Sequence, residues 1–104
     1  MAKLSGLLES LQKELSETNL WETDIPSPEA LASEEPFCID TMNLTQWIQW
    51  IFIPKLSYLI ENHLALPEYS AVHEIAEESF KGMDVDMEKI VTLIKTIDET
   101  ISQD

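Results

Sequence analysis

The 104-residue sequence contains no arginine and only six lysines, which are scattered, whereas aspartate and glutamate together number twenty. The formal net charge is −14. Proteins that bind nucleic acid draw much of their affinity from basic contacts to phosphates, and arginine makes most of the bidentate ones. Direct binding to RNA, DNA or an anionic membrane is therefore not expected. The charge is most simply explained as keeping a small protein in solution. The alternative is that it serves a basic protein partner, because opposite charges speed encounter.

Cysteine and glycine are nearly as scarce as arginine. The single Cys38 cannot form a disulfide within the chain, and beside Phe37 and Ile39 it is more typical of a small core residue than of a nucleophile. The two glycines, Gly6 and Gly82, stand far apart, so the sequence has no glycine-rich loop of the kind that cradles phosphates. No nucleotide cofactor is expected, and no catalytic residue is assigned.

Histidine occurs only twice, at His63 and His73. His73 lies one helical turn before Glu77, but the stretch HEIAEE lacks the second histidine of a zinc hydrolase helix. We interpret this stretch as an exposed acidic helix face and predict no metal site. With so few catalytic groups, the sequence favours a protein that is not an enzyme.

A long apolar run is also missing. The longest one, from Ile48 to Ile53, contains Gln49 and is far shorter than the roughly 20 residues that cross a bilayer. Polar side chains interrupt residues 1–17, unlike the apolar segment of a secretory signal. Together with the lone cysteine, these features predict a cytoplasmic protein that does not enter the membrane.

What the sequence does contain is helical periodicity over most of its length. Apolar residues recur at spacings of three and four, and no segment alternates in the manner of a strand. We predict an all-α fold, a compact four-helix bundle, and a single domain over residues 1–104, since the length leaves no room for a second core. The predicted helices cover residues of about 3–17, 43–62, 69–81 and 85–102, with a short turn at about 28–32.

Two of these helices carry capping signals at their starts. Ser27 followed by Pro28 is typical of an N-cap with proline at the first helical position. Asn43, with Gln46 three residues on, resembles a capping box. Residues 19–42 form a long loop, which we expect to be ordered because of its apolar side chains. A loop of this length is typically either packed across the core or functional.

The stretch TQWIQWIFIPKL, residues 45–56, is the most apolar part of the chain. Its apolar side chains cover much of the helix circumference, which predicts a central helix largely buried between others. Pro54 has no N–H for the carbonyl of Trp50, and its ring crowds that carbonyl, so we expect a kink there. Aromatic residues at this spacing are typical of a core, and they also serve as binding residues.

The block from Pro36 to Pro67 resembles the signature of the YqcC-like family of small bacterial helical proteins. The matching elements are Pro36-Phe37, Asp40-Thr41-Met42, Trp47-Ile48-Gln49-Trp50, Ile53-Pro54-Lys55 and Leu66-Pro67. The resemblance implies a helical bundle with no defined catalytic residues and an association with tRNA pseudouridine synthases. The chain is too short for the catalytic fold of such an enzyme. The resemblance therefore implies an acidic helper that binds a basic synthase.

Three polar residues of this block are candidate site residues. Gln49 in so apolar a helix needs a hydrogen-bond partner, and we predict a surface groove near Asp40, Gln49 and Lys55. The leading hypothesis is a non-enzymatic protein that binds another protein, and the alternative is a small-molecule pocket near the Pro54 kink. The residues predicted to line that pocket are Trp47, Trp50 and Phe52.

Overall fold

Helices account for the regular structure in the computed structural model, which describes residues 2–38, 40–83 and 87–102. In chain order they are α1 (Ala2–Glu17), α2 (Pro28–Leu31), a 3₁₀ turn (Pro36–Cys38), α3 (Leu44–Trp47), a π-helical segment (Ile48–Phe52), α4 (Ile53–Glu61), α5 (Val72–Ser79) and α6 (Glu88–Ser102). We call α3, the π segment and α4 together the central helix, residues 44–61. No strand occurs in the described ranges, and the predicted all-α fold is confirmed.

The bundle consists of α1, the central helix, α5 and α6. Helix α6 packs against both α1 and α5, and α1 also contacts α4. The radius of gyration is 13.3 Å, close to the ~13 Å of a compact folded chain of about 100 residues. None of the helices in the described part of the chain is long and apolar enough to cross a membrane.

The apolar stripes of α1 and α6 face each other in the core. Their spacing of three and four residues places each stripe on one side of its helix. Burying a leucine or isoleucine side chain stabilises the fold by roughly 1.5–3 kcal/mol relative to leaving it exposed. The buried members of the two stripes are Leu4, Leu8, Leu11, Leu15, Ile90, Ile94, Ile97 and Ile101.

Both predicted capping signals are used. The Ser27 hydroxyl accepts the backbone N–H of Ala30 at 3.1 Å, and Pro28 opens α2. At the central helix, the Asn43 side chain accepts the Gln46 backbone N–H at 3.0 Å, and the Gln46 side chain accepts the Asn43 backbone N–H at 2.9 Å. These reciprocal bonds fix the first residue of the central helix at 44, one residue after the predicted start.

The central helix is irregular ahead of its proline as well as at it. Residues Ile48–Phe52 are π-helical, and the Ile53 N–H donates to the carbonyl of Ile48, five residues back. Pro54, which has no N–H, follows directly after this segment and one residue into α4. The irregularity that the structure shows is one widened turn that precedes the proline, and the kink predicted at Pro54 stays a prediction.

Helix α5 is shorter than the predicted 69–81, and the prediction is wrong at both ends. The helix covers only Val72–Ser79. Before it, the Ser70 N–H donates to the Ser102 hydroxyl at 3.1 Å, and Ala71 has φ −140° and ψ 40°. The predicted helix started too early because apolar periodicity continues into this segment, whereas the backbone N–H and carbonyl of Ser70 are bonded to the Ser102 hydroxyl of α6.

The C-terminal end of α5 also differs from the prediction, because the chain turns between α5 and α6. Gly82 has a φ of 79°, a left-handed conformation that suits glycine and does not continue a helix. Helix α6 begins at Glu88, after Met87 accepts the Val91 N–H at 2.9 Å. The predicted start of this helix at residue 85 lies outside the described residues.

Candidate functional site

Gln49 is buried in the central helix, with 4% of its surface exposed, and both ends of its amide are bonded. Its Oε1 accepts the backbone N–H of Glu22 at 2.8 Å, and its Nε2 donates to the Glu22 carbonyl at 2.6 Å. A glutamine amide carries the same donor and acceptor as a peptide group, so it pairs with Glu22 as a neighbouring backbone would. Gln49 thereby fastens the loop between α1 and the central helix.

Gln46 strengthens this attachment one turn earlier. Its Nε2 donates to both carboxylate oxygens of Glu22, at 3.1 and 3.2 Å, while its Oε1 is engaged in the capping box. We call Glu22, Gln46 and Gln49 the loop clamp. The predicted need of Gln49 for a partner is met, but the partner lies 27 residues away in the sequence, where no local pattern points to it.

Asp40 belongs to the loop rather than to the clamp. It is exposed, and its carboxylate accepts the Ser33 hydroxyl hydrogen bond. The Ser33 oxygen in turn accepts the Glu35 N–H at 3.2 Å, and the Thr41 hydroxyl donates to the Ala30 carbonyl at 2.8 Å. These contacts order the segment between α2 and the central helix.

A cleft of about 490 Å³ lies between the central helix, the 3₁₀ turn and the segment before α5. Trp47 stacks on Phe52 with ring centroids 5.2 Å apart, and Phe37 meets Trp47 edge-on at 4.9 Å. We call this cleft the aromatic cleft. Its volume falls in the range of about 300–1,000 Å³ typical of small-molecule sites. Other residues that line it include Ile51, Lys55, Leu56, Pro67, Tyr69 and Val72.

Phe37 reaches the aromatic cleft from an unusual backbone. It has a φ of 58°, and Cys38 after it has a φ of 51°. Left-handed conformations of residues other than glycine cost of order 1–3 kcal/mol each, and they cluster at binding sites. The edge-on contact of Phe37 with Trp47 and the burial of Cys38, which is 5% exposed, offset this strain.

The structure brings three of the six predicted site residues to the aromatic cleft: Trp47, Phe52 and Lys55. Gln49 and Asp40 do not line it. The predicted groove of Asp40, Gln49 and Lys55 is therefore not formed, because the amide of Gln49 points inward onto Glu22. Trp50 does not line the cleft either, and its indole N–H is buried with no partner in the described part of the chain. A binding role for the cleft stays a prediction.

Asp98 on α6 is a polar site that the sequence analysis missed. It is 2% exposed, and its carboxylate accepts the His73 backbone N–H at 2.8 Å, pairs with His73 Nδ1 at 2.7 Å, and accepts the Ser70 hydroxyl hydrogen bond. The signal was an acidic residue inside an apolar stripe, between Ile97 and Ile101 on the buried face of α6. The stretch that begins at His73 was predicted to be an exposed acidic helix face, but the His73 side chain itself is partly buried against Asp98.

The Asp98 cluster acts as a helix cap supplied by another helix. His73 is the second residue of α5, so its N–H is one of the first-turn donors that have no partner within the helix. A carboxylate at a helix N-terminus also interacts favourably with the helix dipole. The Ser70 hydroxyl donates to Asp98 rather than to His73, so the three side chains do not form a Ser-His-Asp relay. No group of three potential metal ligands occurs among the described residues.

The sequence and the fold are similar to those of known proteins. The family model described as DUF446, tRNA pseudouridine synthase C, matches residues 3–100. An uncharacterised protein of Haemophilus influenzae is 40% identical over 92 residues, which cover 88% of this chain and 86% of that protein. The uncharacterised protein YqcC of Escherichia coli is 38% identical over 65 residues, which cover 62% of this chain and 60% of that protein.

The chain is also similar to a solved structure and to one segment of a longer protein. The solution NMR structure of YqcC from Escherichia coli superposes with a TM-score of 0.87 at 28% identity, covering 99% of this chain and 88% of that one. A protein of Pectobacterium carotovorum named tRNA pseudouridine synthase C is 36% identical over 72 residues, which cover 69% of this chain. This chain spans only 19% of that protein's length, so about four fifths of that protein lies outside the similarity.

Proposed function

The chain belongs to the DUF446 family, which confirms its resemblance to the YqcC-like family, and we propose that it acts in the cytoplasm as a non-enzymatic accessory module that binds a tRNA pseudouridine synthase. One comparison carries this proposal. A protein named tRNA pseudouridine synthase C contains a segment that is 36% identical to this chain and occupies 19% of its length. There, a covalent link holds the segment and the remaining polypeptide together. In this proposal, the present chain makes the same association by binding.

The distribution of charge supports a basic partner. Between Lys13 and Lys81 the chain has one lysine, Lys55, and its formal net charge is −14. An enzyme that acts on tRNA needs a positive surface to bind phosphates, and that surface is complementary to this one. Such complementarity raises the rate of encounter and is weakened by salt.

The loop between α1 and the central helix is the surface we assign to this contact. The loop clamp fixes it on the bundle, so a partner does not have to order it on binding. It carries no lysine. Its exposed carboxylates belong to Asp24, Glu29, Glu34, Glu35 and Asp40.

Isothermal titration of the purified chain with the tRNA pseudouridine synthase C of the same cells tests the proposal. We expect a complex at low salt that weakens as salt is raised. A triple variant, with Glu29, Glu34 and Glu35 each changed to Gln, should weaken binding. A matched triple variant that removes three exposed carboxylates elsewhere should bind as the unaltered chain does. Its positions are Glu9, Glu17 and Glu99.

The results answer two questions separately, whether the synthase binds this chain and whether the loop is the contact surface. Equal weakening by both triple variants would mean that net charge alone attracts the synthase and that the loop is not the contact. No heat and no co-elution at either salt concentration would overturn the accessory role. A measurement of pseudouridine formation with and without the chain then shows whether binding changes the activity of the synthase.

The aromatic cleft favours a second function, the binding of a small molecule. Three aromatic rings in contact line a cleft of about 490 Å³ next to Pro54, close to the position predicted for the alternative pocket. Native mass spectrometry of the chain purified from its own cells tests this function. A bound mass that is lost on Trp47→Ala supports it, and the mass of the chain alone in both samples counts against it.

A further inference from the structure

We infer that the aromatic cleft selects a planar apolar ligand with one negative charge, an aromatic carboxylate. This inference rests on the second function proposed above, ligand binding at the cleft, and does not depend on the accessory role. It follows from two features of the cleft, the arrangement of its rings and the isolation of its single lysine.

The rings provide a surface for a planar ligand. Trp47 and Phe52 stack with an interplanar angle of 25°, whereas Phe37 stands at 76° to Trp47. Aromatic rings prefer offset-stacked or edge-on partners. Trp47 and Phe37 are half-buried whereas Phe52 is buried, so Trp47 and Phe37 are the rings that a ligand can meet. Tyr69, which is 72% exposed, lies at the rim. These side chains discriminate a flat apolar body from a branched or strongly hydrated one.

Lys55 provides the charge. It is the one charged side chain among the described residues that line the cleft. Within the described ranges, no carboxylate lies within 4.0 Å of its amine, although the chain has twenty acidic residues. By contrast, Lys81 pairs with Glu78 at 3.1 Å. A ligand carboxylate can therefore meet Lys55 without displacing a carboxylate of the protein.

A cationic ligand fits this cleft less well. Aromatic faces attract cations, but Lys55 lines the same cleft, and its ammonium repels a second positive charge. The net charge of −14 repels anions at long range, yet that repulsion is screened beyond about 8 Å at physiological ionic strength. Within the cleft, the nearest charge is that of Lys55, and it decides the preference.

Three probes that share one ring system test the inference: 2-naphthoate, 2-naphthamide and 2-naphthylmethylamine. Their dissociation constants are measured by NMR titration of the Trp47 indole resonance. We expect 2-naphthoate to bind most tightly. Lys55→Gln should weaken 2-naphthoate about two- to fivefold, the effect of one exposed ion pair, and leave 2-naphthamide unchanged. The matched variant Lys95→Gln, at an exposed position of α6, should change neither constant.

Every other result contradicts either the charge preference alone or ligand binding at the cleft as a whole. If 2-naphthamide binds as tightly as 2-naphthoate and Lys55→Gln has no effect, the charge preference is wrong and ligand binding at the cleft stands. If 2-naphthylmethylamine binds most tightly, the rings and the acidic surface outweigh Lys55, and the inference is also wrong. If none of the probes shifts the Trp47 indole resonance, both the inference and ligand binding at the cleft fail.

Discussion

Replacing Asp98 with alanine tests whether one buried carboxylate holds α5 on α6. Asp98 is 2% exposed and receives three hydrogen bonds from the start of α5, which come from the Ser70 hydroxyl, the His73 N–H and His73 Nδ1. Alanine removes the acceptor for all three. The Ser70 N–H keeps its bond to the Ser102 hydroxyl, so the connection between the two helices is weakened rather than erased.

We expect the free energy of unfolding to fall by about 3 kcal/mol. Leaving a buried hydrogen-bonding group without its partner costs about 1–3 kcal/mol, and three hydrogen bonds lose their acceptor here. The His73 side chain is 24% exposed, so water replaces part of what it loses. A domain of this size has a total stability of about 5–15 kcal/mol, and the loss is therefore a large fraction of it. Asp98→Asn keeps an acceptor oxygen of the same shape and should cost less, about 1–2 kcal/mol.

Urea denaturation followed by circular dichroism measures these losses. The control is Glu99→Ala at the adjacent, exposed position of α6, which should leave the midpoint unchanged. Hydrogen exchange of the α5 amides provides a local measure, and these amides should exchange faster in the Asp98→Ala variant than in the control. A loss below about 1 kcal/mol for Asp98→Ala, or unchanged exchange in α5, would refute the reasoning.

Two other predictions concern the attachment of the loop and the start of the central helix. Gln49→Leu leaves the Glu22 N–H and carbonyl without their partner, and we expect a loss of about 2 kcal/mol, measured by urea denaturation against the exposed control Gln12→Leu. A gain in stability would show that Gln49 is not a structural residue. Asn43→Ala removes the capping box and should cost about 1 kcal/mol, and a thermal midpoint equal to that of the unaltered chain would contradict the cap.

The helices and caps could be predicted because they depend on neighbours in the sequence. The leucines of α1 and the isoleucines of α6 repeat at helical spacing within the predicted helices, and both stripes are buried. The capping box of Asn43 and Gln46 needs only three residues of context. For the central helix, a kink at Pro54 was predicted because a proline cannot complete the backbone pattern within a helix, whereas the structure shows an irregular turn ahead of the proline, at Ile48–Phe52.

The remainder depends on contacts between distant parts of the chain. The partner of Gln49 lies 27 residues away, and the partner of Asp98 lies 25 residues away. Because Asp98 also bonds the residues just before and inside α5, the same contact explains why the predicted start of that helix was too early. Trp47 and Phe52, two residues predicted to line a pocket, do line the aromatic cleft, whereas Phe37, whose backbone is left-handed, was not predicted to line it.

The π segment also has an evolutionary consequence. A single π-helical turn holds one residue more than an α-helix needs, and each residue advances a helix by about 100°. Because the π turn absorbs this extra residue, a relative that lacks one residue in the region of Ile48–Phe52 can form a regular α-helix there and keep both halves of the central helix in the same orientation. Gln46 would then still bond the loop, and Lys55 would still line the cleft. A one-residue gap in a regular part of the central helix would instead rotate the two halves by about 100° relative to each other, so gaps within the central helix of family members should fall at the π segment.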